Sequence, residues 1–218
     1  MKFIVISGAD ACGKDTQIDK LEQFFIRQGL NTQVLSIHSS LADFTSVTNP
    51  KTLSDVLNVF LLKFEPIART LFLQSLIKNA LSKIHINTQI VIFNGYWYKY
   101  AASEAAYGVP LSFWNQSADI YFPKPDIAVH LDVPFEACSH RRQVWTPYEG
   151  GQARYWGIAP LSFEQFQRSM HKQFQTLFAT TNAPVLHIDG NHDSEQVTRN
   201  IVSIFDDSPM PKSTELFI

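Results

Sequence analysis

The run Gly8-Ala-Asp-Ala-Cys-Gly-Lys-Asp-Thr16 has the residue types and spacing needed to hold a phosphate group. Glycines at 8 and 13 let the backbone curl so that successive N–H groups point inward at phosphate oxygens. Lys14 adds a point charge suited to β- and γ-phosphates, and a helix opening beside it adds its positive dipole end. Gly8, Ala9, Asp10, Ala11, Cys12, Gly13, Lys14, Asp15 and Thr16 are therefore the expected phosphate-binding residues, with Lys14 acting on the transferred group. The pattern G-x-x-x-x-G-K-[ST] wants a hydroxyl directly after the lysine, but Asp15 stands there and Thr16 follows. A carboxylate can hold Mg²⁺ as well as a hydroxyl can, because hard cations take oxygen ligands of either kind. It also sets a negative charge beside a polyanion, which costs affinity unless a metal lies between them. The bland alternative is a glycine-rich turn that only caps a helix. The apolar run before the loop and the helical pattern after it favour phosphate, and a nucleotide is the expected ligand.

Such a loop needs a strand to deliver it and a helix to follow. Phe3-Ile-Val-Ile6 precedes it, and Ile18, Leu21 and Phe25 follow at helical spacing. Further along, short β-type runs alternate with longer helical ones, which implies a parallel sheet covered on both faces. Strands are expected at 3–7, 33–37, 89–94, 127–132 and 185–189, and helices near 14–28, 66–84, 99–107, 135–142, 163–180 and 194–205. The predicted fold class is α/β, a three-layer arrangement with a five-stranded parallel sheet flanked by helices. Ligands in such folds bind at the carboxyl ends of the strands, where the glycine loop falls. Residues 143–160 combine Pro147, Gly150, Gly151, Gly157 and Pro160 with Arg154, Trp145, Tyr155 and Trp156. So long a connection reads as a short lid, a plain surface excursion being the alternative. Residues 1–205 are read as one domain carrying that lid, and 206–218 as a flexible C-terminal tail.

Composition narrows the function classes. In 218 residues, 45% are apolar and 17% charged, which describes a globular chain with a substantial core. A net charge of -2 argues against a nucleic-acid-binding surface as the main role. No run of 18 apolar residues occurs, so no membrane span is expected, and the N-terminus shows no signal-peptide pattern. A cytoplasmic location is the expectation. Cys12 and Cys138 are too few for a disulfide framework and read as reduced thiols.

Several further segments fall in a familiar order. Ala68-Arg69 lies ahead of Lys78-Asn-Ala-Leu81; Pro125-Asp-Ile-Ala-Val-His-Leu-Asp-Val-Pro134 reads as a strand and its exit; Tyr148-Glu-Gly150 and Ile188-Asp-Gly-Asn-His-Asp-Ser-Glu195 follow. With the glycine loop, these resemble the thymidylate kinase family of P-loop nucleoside monophosphate kinases over most of residues 1–205. The resemblance implies ATP as phosphate donor, Mg²⁺ as cofactor, and a role in nucleotide biosynthesis. It implies that Asp10 accepts a hydrogen bond from the acceptor's 3′-hydroxyl and that Arg69 contacts the acceptor base. It implies that Lys14 bridges the transferring group, and that Arg141 and Arg142 contact the donor nucleotide or lead into the lid. Tyr107 falls near the family's tyrosine that borders the acceptor base. Family members often form homodimers, and the apolar stripe of 66–84 would permit one, though it would serve equally as core.

Departures from the family pattern are specific. Its third strand ends in an Asp-Arg pair; Asn94-Gly95 stands here. His38-Ser39-Ser40 replaces an Arg-Glu-Pro stretch, and Pro147 replaces the arginine before Tyr148-Glu149. Each lost arginine removes a charge-assisted phosphate contact of about 1.5–3 kcal/mol. Lys99 could present an ammonium to an acceptor phosphate, the alternative being an exposed helical lysine. Asp15, with Thr16, could supply the metal ligation that Asn94 cannot. His130 reads as a hydrogen-bonded core residue. The expected activity is phosphorylation of a deoxynucleoside monophosphate, dTMP first. A nucleoside or other small acceptor, and a catalytically degenerate nucleotide-binding protein, are the alternatives.

Overall fold

The computed structural model describes residues 1–45, 49–181 and 185–206. In chain order the elements are β1 (Lys2–Gly8), α1 (Lys14–Arg27), β2 (Thr32–Leu35), α2 (Ile37–Leu41), α3 (Pro50–Lys63), α4 (Pro66–Leu81) and β3 (Ile90–Asn94). They continue as α5 (Tyr96–Ala106), α6 (Leu111–Tyr121), β4 (Ile127–Asp132), α7 (Phe135–Arg141), α8 (Phe163–Thr180), β5 (Val185–Asp189) and α9 (Ser194–Asp206). The strands form one five-stranded, all-parallel sheet in the order β2-β3-β1-β4-β5. This is the α/β fold expected, consistent with a P-loop NTPase. Asp206 ends α9, and the rest of the expected tail, 207–218, lies outside the described residues.

Alternation along β1 builds two cores. Phe3 and Val5 face a layer with Leu73 and Ile77 of α4, the aromatic face of α5, and Phe166 and Phe174 of α8. Ile4 and Ile6 face the opposite layer, with Ile18, Leu21 and Phe25 of α1 and Val197 and Ile201 of α9. A central strand buried on both faces must be apolar throughout, which explains the unbroken run at its start. The edge strand β5 is partly open on both sides and is accordingly mixed in composition.

Three helices escaped the sequence reading, and one began early. The strand expected at 33–37 stops at Leu35, because Ser36 turns the chain and its side-chain oxygen accepts from the Ser39 N–H to cap α2. In α3, Leu53, Leu57 and Leu61 recur every four residues and are buried. In α6 only Trp114 and Ala118 are buried, so its period is faint. Helix α5 starts at Tyr96, three residues before the expected Lys99, after a left-handed turn at Gly95 (φ 76) and Tyr96 (φ 48). That early start places Lys99 in the first turn, at the carboxyl edge of the sheet.

His130 on β4 lies between the rings of Phe174 and Phe178, each 4.7 Å away, and its Nδ1 has no hydrogen-bond partner. Burial, helped by His187, Lys14 and His171, lowers its pKa from 6.5 to about 3. The folded chain thus refuses a proton that the unfolded chain accepts below pH 6.5. Stability from this group is complete above that pH and falls toward pH 3, at up to about 1.4 kcal/mol per pH unit. Urea unfolding from pH 7 to 4 should therefore show a shallower loss for His130→Leu than for the wild type. Equal slopes would remove His130 as a source of acid sensitivity.

Candidate phosphate-binding site

The glycine loop connects the end of β1 to the first residue of α1. Gly8 is a site of close approach: a β-carbon there would lie 2.6 Å from Cys12 Sγ and 3.1 Å from the Leu131 carbonyl oxygen. Gly13 has a φ of 101, which L side chains rarely adopt, and delivers Lys14 to the helix start. Lys14 is buried, and its Nζ donates to the Ala9 carbonyl at 2.6 Å. Its ammonium is thus folded back into the loop, where backbone N–H groups and a helix terminus already favour an anion.

Asp10 and Lys99 form an ion pair, Nζ to Oδ1 2.5 Å, with both side chains largely buried. Burial alone would raise the Asp10 carboxyl, but Lys99, Lys14 and Arg142 outweigh it and hold its pKa at about 2. Burial works against the Lys99 ammonium, and Asp10 more than compensates, so its pKa is raised. The exposed Asp15 receives a hydrogen bond from Asn94 Nδ2 at 2.7 Å. Thr16 follows it, also exposed.

Two arginines close one side of the loop. Arg141 donates to the carbonyls of Cys12 (3.0 Å) and Gly190 (2.8 Å), bracing the loop after β5 against the glycine loop. Arg142 pairs with both Glu149 oxygens, at 3.1 and 2.9 Å, and donates to the Val144 carbonyl. These groups border a cavity of about 530 Å³ whose lining includes Asp10, Lys14, Asp15, Thr16, Lys99, Arg141 and Arg142. Ser36, Ser54 and Tyr100, which were not expected at a site, also line it, as does Glu149 of the Tyr148-Glu-Gly150 segment. A second, smaller cavity of about 280 Å³ adjoins Gly13, Thr16, Arg141, Gly190 and His192.

Arg69 and Tyr107 are not among the residues that line these cavities. Both are fully buried. Arg69 Nε donates to the two oxygens of Glu104 at 2.7 and 3.0 Å, and its Nη2 donates to the Arg154 carbonyl. The guanidinium lies 4.5 Å from the Tyr107 ring centroid, and its Nη1 has no partner. Tyr148 covers the pair, donating from its hydroxyl to Glu104 at 2.7 Å. Residues 143–160 are held down here: the Tyr107 hydroxyl donates to the Tyr148 carbonyl, and Trp156 N–H donates to the Tyr107 carbonyl. Gln167 of α8 adds a bond to the Glu149 carbonyl. Glu104 had a sequence signal, being the one acid on a helix rich in alanine and aromatic residues, where a buried carboxylate must find a cation or go unpaired.

Because both members are sealed from water, removing one leaves an uncompensated buried charge. Arg69→Met should cost about 3–5 kcal/mol in urea unfolding, and a combined Arg69→Met, Glu104→Leu variant much less. Equal losses for single and double variants would show that the pairing is not what the fold relies on.

Among the described residues, no group of three or more His, Cys, Asp or Glu is arranged as a metal cage. No helix among them is long and apolar enough to cross a membrane. No protein-family model matches the chain. It is, however, 25% identical over 211 residues to a probable thymidylate kinase of Staphylothermus marinus, an alignment covering 93% of each chain.

Proposed function

We propose that the chain is an ATP-dependent kinase acting on a deoxynucleoside monophosphate, with dTMP as the first acceptor to test. The observation that carries this reading is the buried Lys14 ammonium inside a glycine loop at a helix start, with Asp10 beside it at the cavity. The similarity to the Staphylothermus marinus probable thymidylate kinase, spread over nearly the whole of both chains, supports the same reading.

Phosphoryl transfer asks little covalent chemistry of a protein; it asks for alignment and for positive charge on the transferring group. The loop N–H groups and Lys14 would bind the donor phosphates. Arg141 and the loop after β5 would flank the donor base beside the smaller cavity. Asp10, ionised at neutral pH, would accept a hydrogen bond from the acceptor's sugar hydroxyl; a carboxylate held near 2 orients a hydroxyl better than it deprotonates one. The donor set fits Mg²⁺, which is commonly held by one or two carboxylates together with substrate phosphates. Asp15 and Thr16 supply hard oxygens at the cavity. When bound, the ion would supply positive charge against the charge that develops during phosphoryl transfer.

One observation favours a second reading. Lys99 and Arg142, two cations on the cavity wall, are each already paired with a carboxylate, Asp10 and Glu149. An acceptor that carries no phosphate, such as a nucleoside, needs neither of them.

ADP release from Mg·ATP should be stimulated by dTMP and saturate with it, when dTMP, dUMP, the other nucleoside monophosphates and thymidine are offered in turn. Response to thymidine alone would select the second reading. Nucleotide-dependent thermal stabilisation without turnover on any of them would overturn both in favour of a binding protein. Lys14→Ala should lower turnover about 100-fold or more, the scale for losing one preorganised donor to a developing charge, and leave the unliganded melting curve in place. Retained turnover would remove Lys14 from phosphoryl transfer.

A further inference from the structure

We infer that the two oxygen donors of the metal site have exchanged places in this chain, Asp15 carrying the charge and Asn94 positioning it. This rests on the kinase reading above. P-loop nucleotide enzymes hold the cation with a neutral hydroxyl from the loop and a carboxylate from a neighbouring strand. Here the loop position after the lysine is an acid, and the end of the neighbouring strand is an amide. Taken singly, each departure would damage the site. Taken together, they keep its inventory at one carboxylate and one neutral side chain.

The geometry joins them. β3 pairs in register with β1, Asn94 opposite Ile6, so the end of β3 lies beside the loop that β1 feeds. Asn94 Nδ2 reaches Asp15 Oδ1 at 2.7 Å across 79 residues of sequence, and both line the larger cavity with Lys14. The bond fixes the carboxylate with one oxygen and leaves the other for a cation. It also explains the amide. A second carboxylate at 94 would sit within hydrogen-bonding distance of the first, and two acids so close cannot both stay ionised. Once the charge stands at 15, a neutral donor at 94 is what holds it.

The competing account is structural: an acid in the first turn of α1 stabilises the helix dipole, and Asn94 merely satisfies it. That role would move the melting temperature and not the metal affinity. The deciding measurement is Mn²⁺ titration of the full chain with saturating ADP, followed by electron paramagnetic resonance, a readout independent of turnover. Asp15→Ser should weaken Mn²⁺ by about 10- to 100-fold. Adding Asn94→Asp, which restores the usual arrangement, should recover most of that loss. Should Asp15→Ser fail to fold, Asp15→Asn keeps the shape and the contact and should weaken Mn²⁺ in the same way. Unchanged affinity in the single variant, or no recovery in the double, would overturn the exchange while leaving the kinase reading standing. A wild-type chain that binds no ADP, with or without Mn²⁺, would overturn both.

Discussion

A lysine ammonium withdrawn from water is costly, and the edge of the sheet is organised around that cost. Lys14 leans on a single carbonyl of its own loop. Asp10 stands near it as a counter-charge but is itself held by Lys99, and the N-terminus of α1 adds further positive potential. Because β1 is central and buried on both faces, the loop cannot drift; its hinge at Gly8 is wedged between Cys12 and Leu131. The rigid core therefore holds a concentrated positive charge where an anionic ligand can offset it.

Around this centre the charged side chains come in pairs. Asp10 with Lys99, Glu149 with Arg142, and Glu104 with Arg69 each join an element to a neighbour. The first two border the cavity, and the third is sealed beneath Tyr148. That difference separates a pair able to exchange partners with a ligand from one committed to the fold. Exposed pairs such as Arg168 with Glu136 carry little weight beside them.

Much of this was legible in the residues. All five strands and six of the helices among the described residues could be placed from periodicity, and the glycine loop's place between a strand and a helix could be read from its spacing. What was hidden follows from the reach of local patterns. A short helix capped by Ser36 looks like the tail of a strand, because five residues cannot display a period of 3.6. Lys99 could be read as a phosphate contact or as an exposed helical lysine, and its pairing with Asp10, 89 positions away, is something no local window contains. Arg69 and Tyr107 could be picked as functional by type and order. Only three-dimensional packing reveals that Glu104 and Tyr148 enclose them. The match of Asp15 to Asn94 was equally invisible until β3 was laid against β1.

The planar fork of Arg141 has a mechanical meaning. Its two contacts, on the Cys12 and Gly190 carbonyls, belong to loops leaving β1 and β5, which are separated in the sheet by β4. The guanidinium is thus a cross-brace spanning an intervening strand, and it ties two otherwise independent loops into a truss. A lysine could carry the same charge but not the same stiffness, since a point charge on a flexible stem cannot fix two distances at once. A displacement of the loop after β5 would be transmitted to the glycine loop without an intervening hinge.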